Sequence, residues 1–275
     1  MSSKLEGKVA IVSGSGRGIG REIALKLAAD GAALVINDLD AAVAESVTQD
    51  IVAAGGRATT CVGNVTAPEF AARFIDTALS TFGRLDIIVN NAGYTWDNVI
   101  QKMSDEQWDA IMDVHVTAPF RILRAASEYF RRAAKEEAEQ GHEVFRKVVN
   151  ISSVSGVMGN AGQANYSAAK SAINGLTKAL AKEWGRYKIN VNSVAFGLIK
   201  TRLTEAAAGD DATINISGQE IKVGVNQQLM KNLETMIPMG RAGTPAEAAG
   251  AVYLFCIPES NYISGQIVIC GGGRP

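Results

Sequence analysis

Cysteine, histidine and proline are all scarce in this 275-residue chain, which holds three, two and six of them respectively. Cys61, Cys256 and Cys270 are odd in number, far apart and set in apolar runs, which argues against a disulfide framework and for reduced core thiols. With only His115 and His142 and no cluster of cysteines, no catalytic metal site is expected. No run reaches the roughly eighteen apolar residues of a membrane-crossing helix, and residues 1–7 lack the apolar centre of a secretory signal. The net charge of -1 offers no basic field to nucleic acid or anionic lipid. These absences leave the expectation of a cytoplasmic globular protein, with no nucleic-acid and no membrane partner.

What is present is an alternation. Short β-branched apolar runs at 9–13, 34–37, 58–62, 85–90, 147–151, 189–194 and 266–270 are separated by helical patterns at 20–30, 41–54, 68–82, 105–140, 163–187 and 245–257. Strands apolar on both faces and joined by helices predict a parallel sheet covered on both sides. Seven strands fall short of a barrel, so the expected fold is α/β, a doubly wound, seven-stranded Rossmann-like sheet. No Pro/Gly-rich linker divides the chain, which reads as a single domain over 1–275. Residues 133–143 form a charged, solvated helix extension. The stretch 203–234 is too long for a plain connection. Within it Ile214 and Ile216, a Ser217-Gly218 turn, then Ile221, Val223 and Val225 predict a small β-hairpin, read as a substrate lid.

The first strand runs into Ser13-Gly14-Ser15-Gly16-Arg17-Gly18-Ile19-Gly20 and then a helix. Glycines there allow a tight turn and close backbone approach, so that the helix N-terminus can face a phosphate. The usual spacing is changed, with Gly14, Gly18 and Gly20 as the framework. Asp38 ends the second strand, where a carboxylate accepts from ribose hydroxyls and repels a 2′-phosphate. Arg17 points the other way. NAD(H) is the favoured cofactor and NADP(H) the alternative.

Tyr166 and Lys170 stand four apart on a helical pattern and share a face. Bringing a phenol from pKa 10 to 7 takes roughly 4 kcal/mol, which one cation about 4 Å away supplies at an effective dielectric of 20. Tyr166 is thus a candidate acid or base. Ser153, just after the fifth strand, is placed to hydrogen-bond a substrate oxygen.

Several motifs in order give the chain a resemblance to the short-chain dehydrogenase/reductases, and among them to the 3-oxoacyl-carrier-protein reductases. They are the glycine loop, Asn90-Asn91-Ala92-Gly93, then Ser153 followed by Tyr166 and Lys170, and Ile263-Ser264-Gly265-Gln266 with Gly271-Gly272. The resemblance implies that Tyr166 moves the proton, Ser153 orients the carbonyl, and Lys170 binds the nicotinamide ribose and lowers the tyrosine pKa. It puts Gly14, Arg17, Gly18, Ile19, Gly20, Asp38, Asn64, Val65, Asn90, Ala92 and Gly93 around the dinucleotide. Ile199 and Thr201 would hold the carboxamide. It also implies a homotetramer.

Three departures stand out. His115 occupies the place of a fourth catalytic residue, asparagine; it reads equally as a relay member and as a satisfied core histidine. Asn64-Val65 replaces aspartate-valine. Phe196-Gly197 replaces proline-glycine and is expected to put a ring near the nicotinamide.

The function expected is the interconversion of a ketone and a secondary alcohol, with a 3-oxoacyl thioester as one substrate. Hydroxysteroids, polyols and sugars are alternatives, and a silent dinucleotide-binding protein is the reading from another class. The intact Ser153, Tyr166 and Lys170 set speaks against silence.

Overall fold

The computed structural model describes residues 3–201, 213–216, 219–222 and 233–274, the segment 213–222 by its backbone alone. Seven parallel strands form one sheet: β1 Val9–Val12, β2 Ala33–Ile36, β3 Arg57–Thr60, β4 Ile87–Asn90, β5 Arg146–Ser153, β6 Ile189–Phe196 and, last in the chain, Ile267–Cys270. The order across the sheet runs β3, β2, β1, β4, β5, β6 and then the last strand. The chain therefore works outward from β1 in one direction, returns to β4, and works outward in the other. That reversal opens a crevice beyond the carboxyl ends of β1 and β4, where such sheets take their ligands.

The strands are β-branched because both faces are covered. One face packs on α1 (Gly18–Ala29), α2 (Ala41–Ala53) and a late helix, Pro245–Tyr253, through Ile23, Leu27, Val47, Ile51, Ala248 and Val252. The other packs on α3 (Phe70–Phe82), α5 (Ala118–Glu139) and a long central helix, Ala164–Trp184, through Phe70, Phe74, Ile122, Phe130 and Trp184. Most of β1, β2 and β4 to β6 is fully buried, at about 25 cal/mol for each Å² of apolar surface removed from water.

The expected helix over 105–140 is interrupted. Helix α4 (Asp105–Met112), opened by a Ser104–Gln107 capping box, meets α5 through a π-turn at Asp113–Thr117. Pro119 has no N–H to give the carbonyl of His115, so the helix widens at that point. A four-residue helix, α6 (Ser155–Met158), then precedes α7, the central helix Ala164–Trp184. Its entry is tight, since a methyl on Gly156 would lie 2.5 Å from the Lys170 Cβ.

Past β6, the strands β7 (Thr213–Ile216) and β8 (Gln219–Lys222) pair antiparallel with Ile214 opposite Ile221, as the alternation predicts. Residues 217–218, Val223, Val225 and most of the stretch 203–234, which the sequence reads as a substrate lid, lie outside the described residues. The chain closes with α8 (Pro245–Tyr253), capped by Thr244, and β9 (Ile267–Cys270). Among the described residues no helix is long and apolar enough to cross a membrane, and no group of His, Cys, Asp and Glu could hold a metal. Cys61, Cys256 and Cys270 are free.

Candidate active site

The glycine loop between β1 and α1 is held by hydrogen bonds from a neighbouring strand end. Asn91 Nδ2 donates to the carbonyls of Ser13 and Gly14, both at 3.0 Å, while Ser13 Oγ accepts from the N–H groups of Asn91 and Ala92. Gly14 takes a left-handed φ of 63°, and a methyl there would lie 2.8 Å from the Ala92 Cα. On Gly20 a methyl would fall 2.1 Å from the Gly14 carbonyl oxygen. Only glycine fits either place. Helix α1 starts with no side-chain cap and no acidic residue in its first turn, so its N-terminal dipole and N–H groups suit a phosphate.

Asp38 lies against this loop: a methyl on Gly16 would be 2.6 Å from Asp38 Oδ2. Asp40, not Asp38, caps α2, accepting from Ala42 N at 3.0 Å. Asp40 also takes the Arg17 guanidinium at 2.6 Å in an exposed pair. Asn64 turns its Oδ1 onto the Thr66 N–H at 3.0 Å, beside the Asp38 carbonyl that holds Gly63, while Val65 is buried. Thr201 brings its methyl to 4.0 Å from where a Gly18 Cβ would stand, and Ile199 is buried and bridged to Gly243. Donors, cradle and carboxylate together fit a dinucleotide lying along the crevice.

The Asn90 side chain is buried at the end of β4. Its Nδ2 donates to Asn150 Oδ1 at 2.8 Å, towards β5, and Asn150 passes the contact on to Thr177. That chain braces the sheet against α7, and Asn91 is the residue that fastens the loop. Phe196 is buried, packed with Ile151, Val194 and Ile199.

Ser153, Tyr166 and Lys170 come together at the carboxyl end of β5. Ser153 Oγ accepts from the Ser155 N–H at 3.1 Å, which leaves its own proton to be donated. Tyr166, half-buried, rises from the first turn of α7, where Asn165 fixes the approach: Asn165 Oδ1 takes the Tyr166 N–H at 2.8 Å, and its Nδ2 donates to the carbonyls of Trp96 and Gln107. Lys170 is buried, and its Nζ donates to the Ile151 carbonyl at 2.7 Å, 5.6 Å from the centre of the Tyr166 ring.

The electrostatics correct one expectation. Burial pushes the Tyr166 phenol up to about 12, with the hydrogen bond from Ser153 pulling down and the charge of Asp97 pushing further up. Burial lowers Lys170 to about 7. In the protein alone burial outweighs acidification of the phenol, because desolvation disfavours the charged form of both groups.

His115 lies in the π-turn with its ring edge-on to Tyr166, centroids 5.1 Å apart. Its Nε2 is 2.7 Å from the Tyr94 carbonyl oxygen, which can only accept, so the proton sits on Nε2. Nδ1 is then a bare acceptor, buried and without a partner. Burial and the charge of Lys170 hold the imidazole well below its ordinary value. Gly93 exists to admit this ring: a methyl there would meet His115 Cε1 at 2.1 Å.

The short chain dehydrogenase family model matches residues 8–212, from β1 past this constellation. The chain belongs to the short chain dehydrogenase family. It is similar to the 3-oxoacyl-[acyl-carrier-protein] reductase of Synechocystis, 36% identical over 98% of this chain and 97% of that one. The corresponding Vibrio cholerae reductase is 37% identical over 98% of both chains. The short-chain reductase protein NovJ of Streptomyces niveus is 36% identical over 97% of this chain and 94% of that one. As a short chain dehydrogenase the protein is an oxidoreductase that uses a nicotinamide dinucleotide and interconverts a ketone and an alcohol.

Proposed function

We propose that the protein reduces a 3-oxoacyl thioester with NADH, and that Tyr166, Ser153 and Lys170 carry the reaction. The observation behind this reading is the convergence of the Ser153 hydroxyl and the Tyr166 phenol at one strand end, with Lys170 one turn behind. The acyl-carrier names of the Synechocystis and Vibrio relatives supply the substrate class. When bound, the dinucleotide supplies hydride to the carbonyl carbon. Ser153 donates a hydrogen bond to the carbonyl oxygen, and Tyr166 gives that oxygen its proton as negative charge develops. A phenol held near 12 stays protonated at neutral pH and still loses its proton to an alkoxide, a far stronger base. That favours the reductive direction.

Lys170 has three donors, one of which goes to Ile151; the others would hold the nicotinamide ribose. His115 Nδ1, a buried bare acceptor, is suited to take a proton or a water's hydrogen bond on the path behind Lys170. NADH is preferred because Asp38 sits where the ribose hydroxyls belong. The Arg17–Asp40 pair counts for less, since exposed pairs contribute only about 0–1 kcal/mol.

The test is ketone reduction with NADH and NADPH in parallel. Tyr166→Phe should lower kcat at least about a hundredfold while leaving dinucleotide binding intact, and near-normal turnover would refute its role. His115→Leu in the same assay should reduce kcat and leave KM unchanged if it serves the proton path.

The protein is further proposed to work in the cytoplasm as a homotetramer. Free cysteines, two of them buried, support the first. Exposed large apolar side chains support the second, among them Ile100, Trp108 and Phe120, and Tyr262, Ile263 and Val268 on or beside the edge strand β9. A monomer in sedimentation velocity would exclude the tetramer.

A further inference from the structure

The loop after β4 is sewn to the start of α7 beside the reacting groups. Asn98 bridges Gln163, the Asn98 N–H donates to the Gly162 carbonyl at 2.9 Å, and Asn165 holds the Trp96 carbonyl. At the centre of this seam Gln163 Nε2 donates to Asp97 Oδ2 at 2.6 Å. The amide cannot be turned round, because its Oε1 already accepts from Ser155 Oγ at 3.0 Å and from Asn160 Nδ2 at 2.9 Å. Gln163 is the N-cap of α7, its carbonyl accepting the Ser167 N–H at 2.8 Å, so it closes the same first turn that carries Tyr166. Asp97, itself exposed, is thus tethered to the N-cap of the helix whose first turn carries Tyr166.

No cation lies within salt-bridge distance of Asp97 among the described residues; the acidic partners of the ion pairs are others, such as Asp40, Asp86 and Glu137. Its field reaches the reacting groups, since the same charge helps to raise Tyr166, while burial raises Asp97 itself against the Gln163 hydrogen bond. A carboxylate with a fixed neutral donor and no ion-pair partner is a poor way to stabilise a loop and an effective way to set a potential.

We propose that Asp97 is a specificity-determining residue, an electrostatic filter that rejects substrates carrying negative charge next to the reacting carbonyl. The accepted ketone is then a neutral 3-oxo ester or thioester, and a free 3-oxo acid is excluded. This rests on the ketone-reduction reading above and refines its substrate class.

The experiment compares two probes with the same ketone, ethyl acetoacetate and the acetoacetate anion, in the full chain with reduced dinucleotide. The wild type should favour the ester by about tenfold or more in kcat/KM, the size expected for two like charges on the order of 8 Å apart in a half-wet cleft. Asp97→Asn keeps an acceptor for Gln163 but loses the charge, and should bring the ratio down by about tenfold through better turnover of the anion. Asp97→Glu should keep the discrimination. Raising the salt should narrow the ratio in the wild type and leave the Asn variant unmoved, which a merely structural aspartate would not do. An equal ratio in wild type and Asp97→Asn, including an equal loss on both probes, overturns the filter and leaves the ketone reading standing. Failure of the wild type to reduce the ester with either dinucleotide overturns the reading, and the filter with it.

Discussion

Tyr166 and Lys170 are each pushed towards neutrality by burial, the phenol to about 12 and the amine to about 7. A phenol that keeps its proton is an acid in waiting, and an amine near 7 can take up and release protons at working pH. The lysine donates to the Ile151 carbonyl, and its proposed part is to hold the nicotinamide ribose and feed protons. At the other end of the crevice the proposed preference for NADH rests on Asp38. Its carboxylate lies against Gly16 and is not spent on capping α2, a task done by Asp40. Asp38→Ala removes both the acceptor for the ribose hydroxyls and the repulsion of a 2′-phosphate. A hydrogen bond to a charged group contributes about 1.5–3 kcal/mol, so the kcat/KM preference for NADH over NADPH should fall roughly tenfold to a hundredfold. A wild type that already prefers NADPH would remove the argument at its root.

Elements were the easiest scale to read. Runs such as Val9–Val12 and Ile189–Phe196 are apolar on both faces because helices cover both, and that pattern is local. The spacing of Tyr166 and Lys170 is local too, being one helical turn. What could not be read were contacts made by distant segments. Nothing near Asn90 and Asn91 in sequence says that one braces β5 while the other fastens the glycine loop; the difference comes from which strand lies alongside. Asp97 carries no local signal for the same reason, since its neighbour Gln163 is more than sixty residues away. Phe196 likewise gives no local sign that it packs with Ile151, Val194 and Ile199. The break at Asp113–Thr117 did carry a signal, in Pro119, which deprives the preceding turn of a donor. It was outweighed by the length of the apolar period on either side.

Across the whole molecule the sheet divides its labour by end, and β5 shows both. Its carboxyl end presents Ser153, while its amino end buries Lys147 with no carboxylate partner. The Lys147 Nζ donates to Asn190 Oδ1 and Asn261 Oδ1, both at 2.8 Å, and to Ser260 Oγ at 3.2 Å. It thereby ties β5 and β6 to the segment before β9. Burial is the main cause that brings it from 10.5 to about 8, with the nearby Cys256 opposing and Lys8 assisting. The sign follows from which state holds the proton. An unfolded chain protonates this lysine below about 10.5, whereas the folded protein does so only below about 8. Between those values unfolding takes up a proton, so this residue's contribution to stability is full above 10.5 and is lost as pH falls towards 8. In Lys147→Met that dependence disappears while every other titrating group is kept. The difference in unfolding free energy between wild type and variant, from urea titrations at pH 8 and pH 10, should therefore shift towards the wild type at the higher pH. The shift expected is roughly 2–3 kcal/mol, and parallel profiles for the two proteins would show that the buried amine keeps its ordinary affinity for protons.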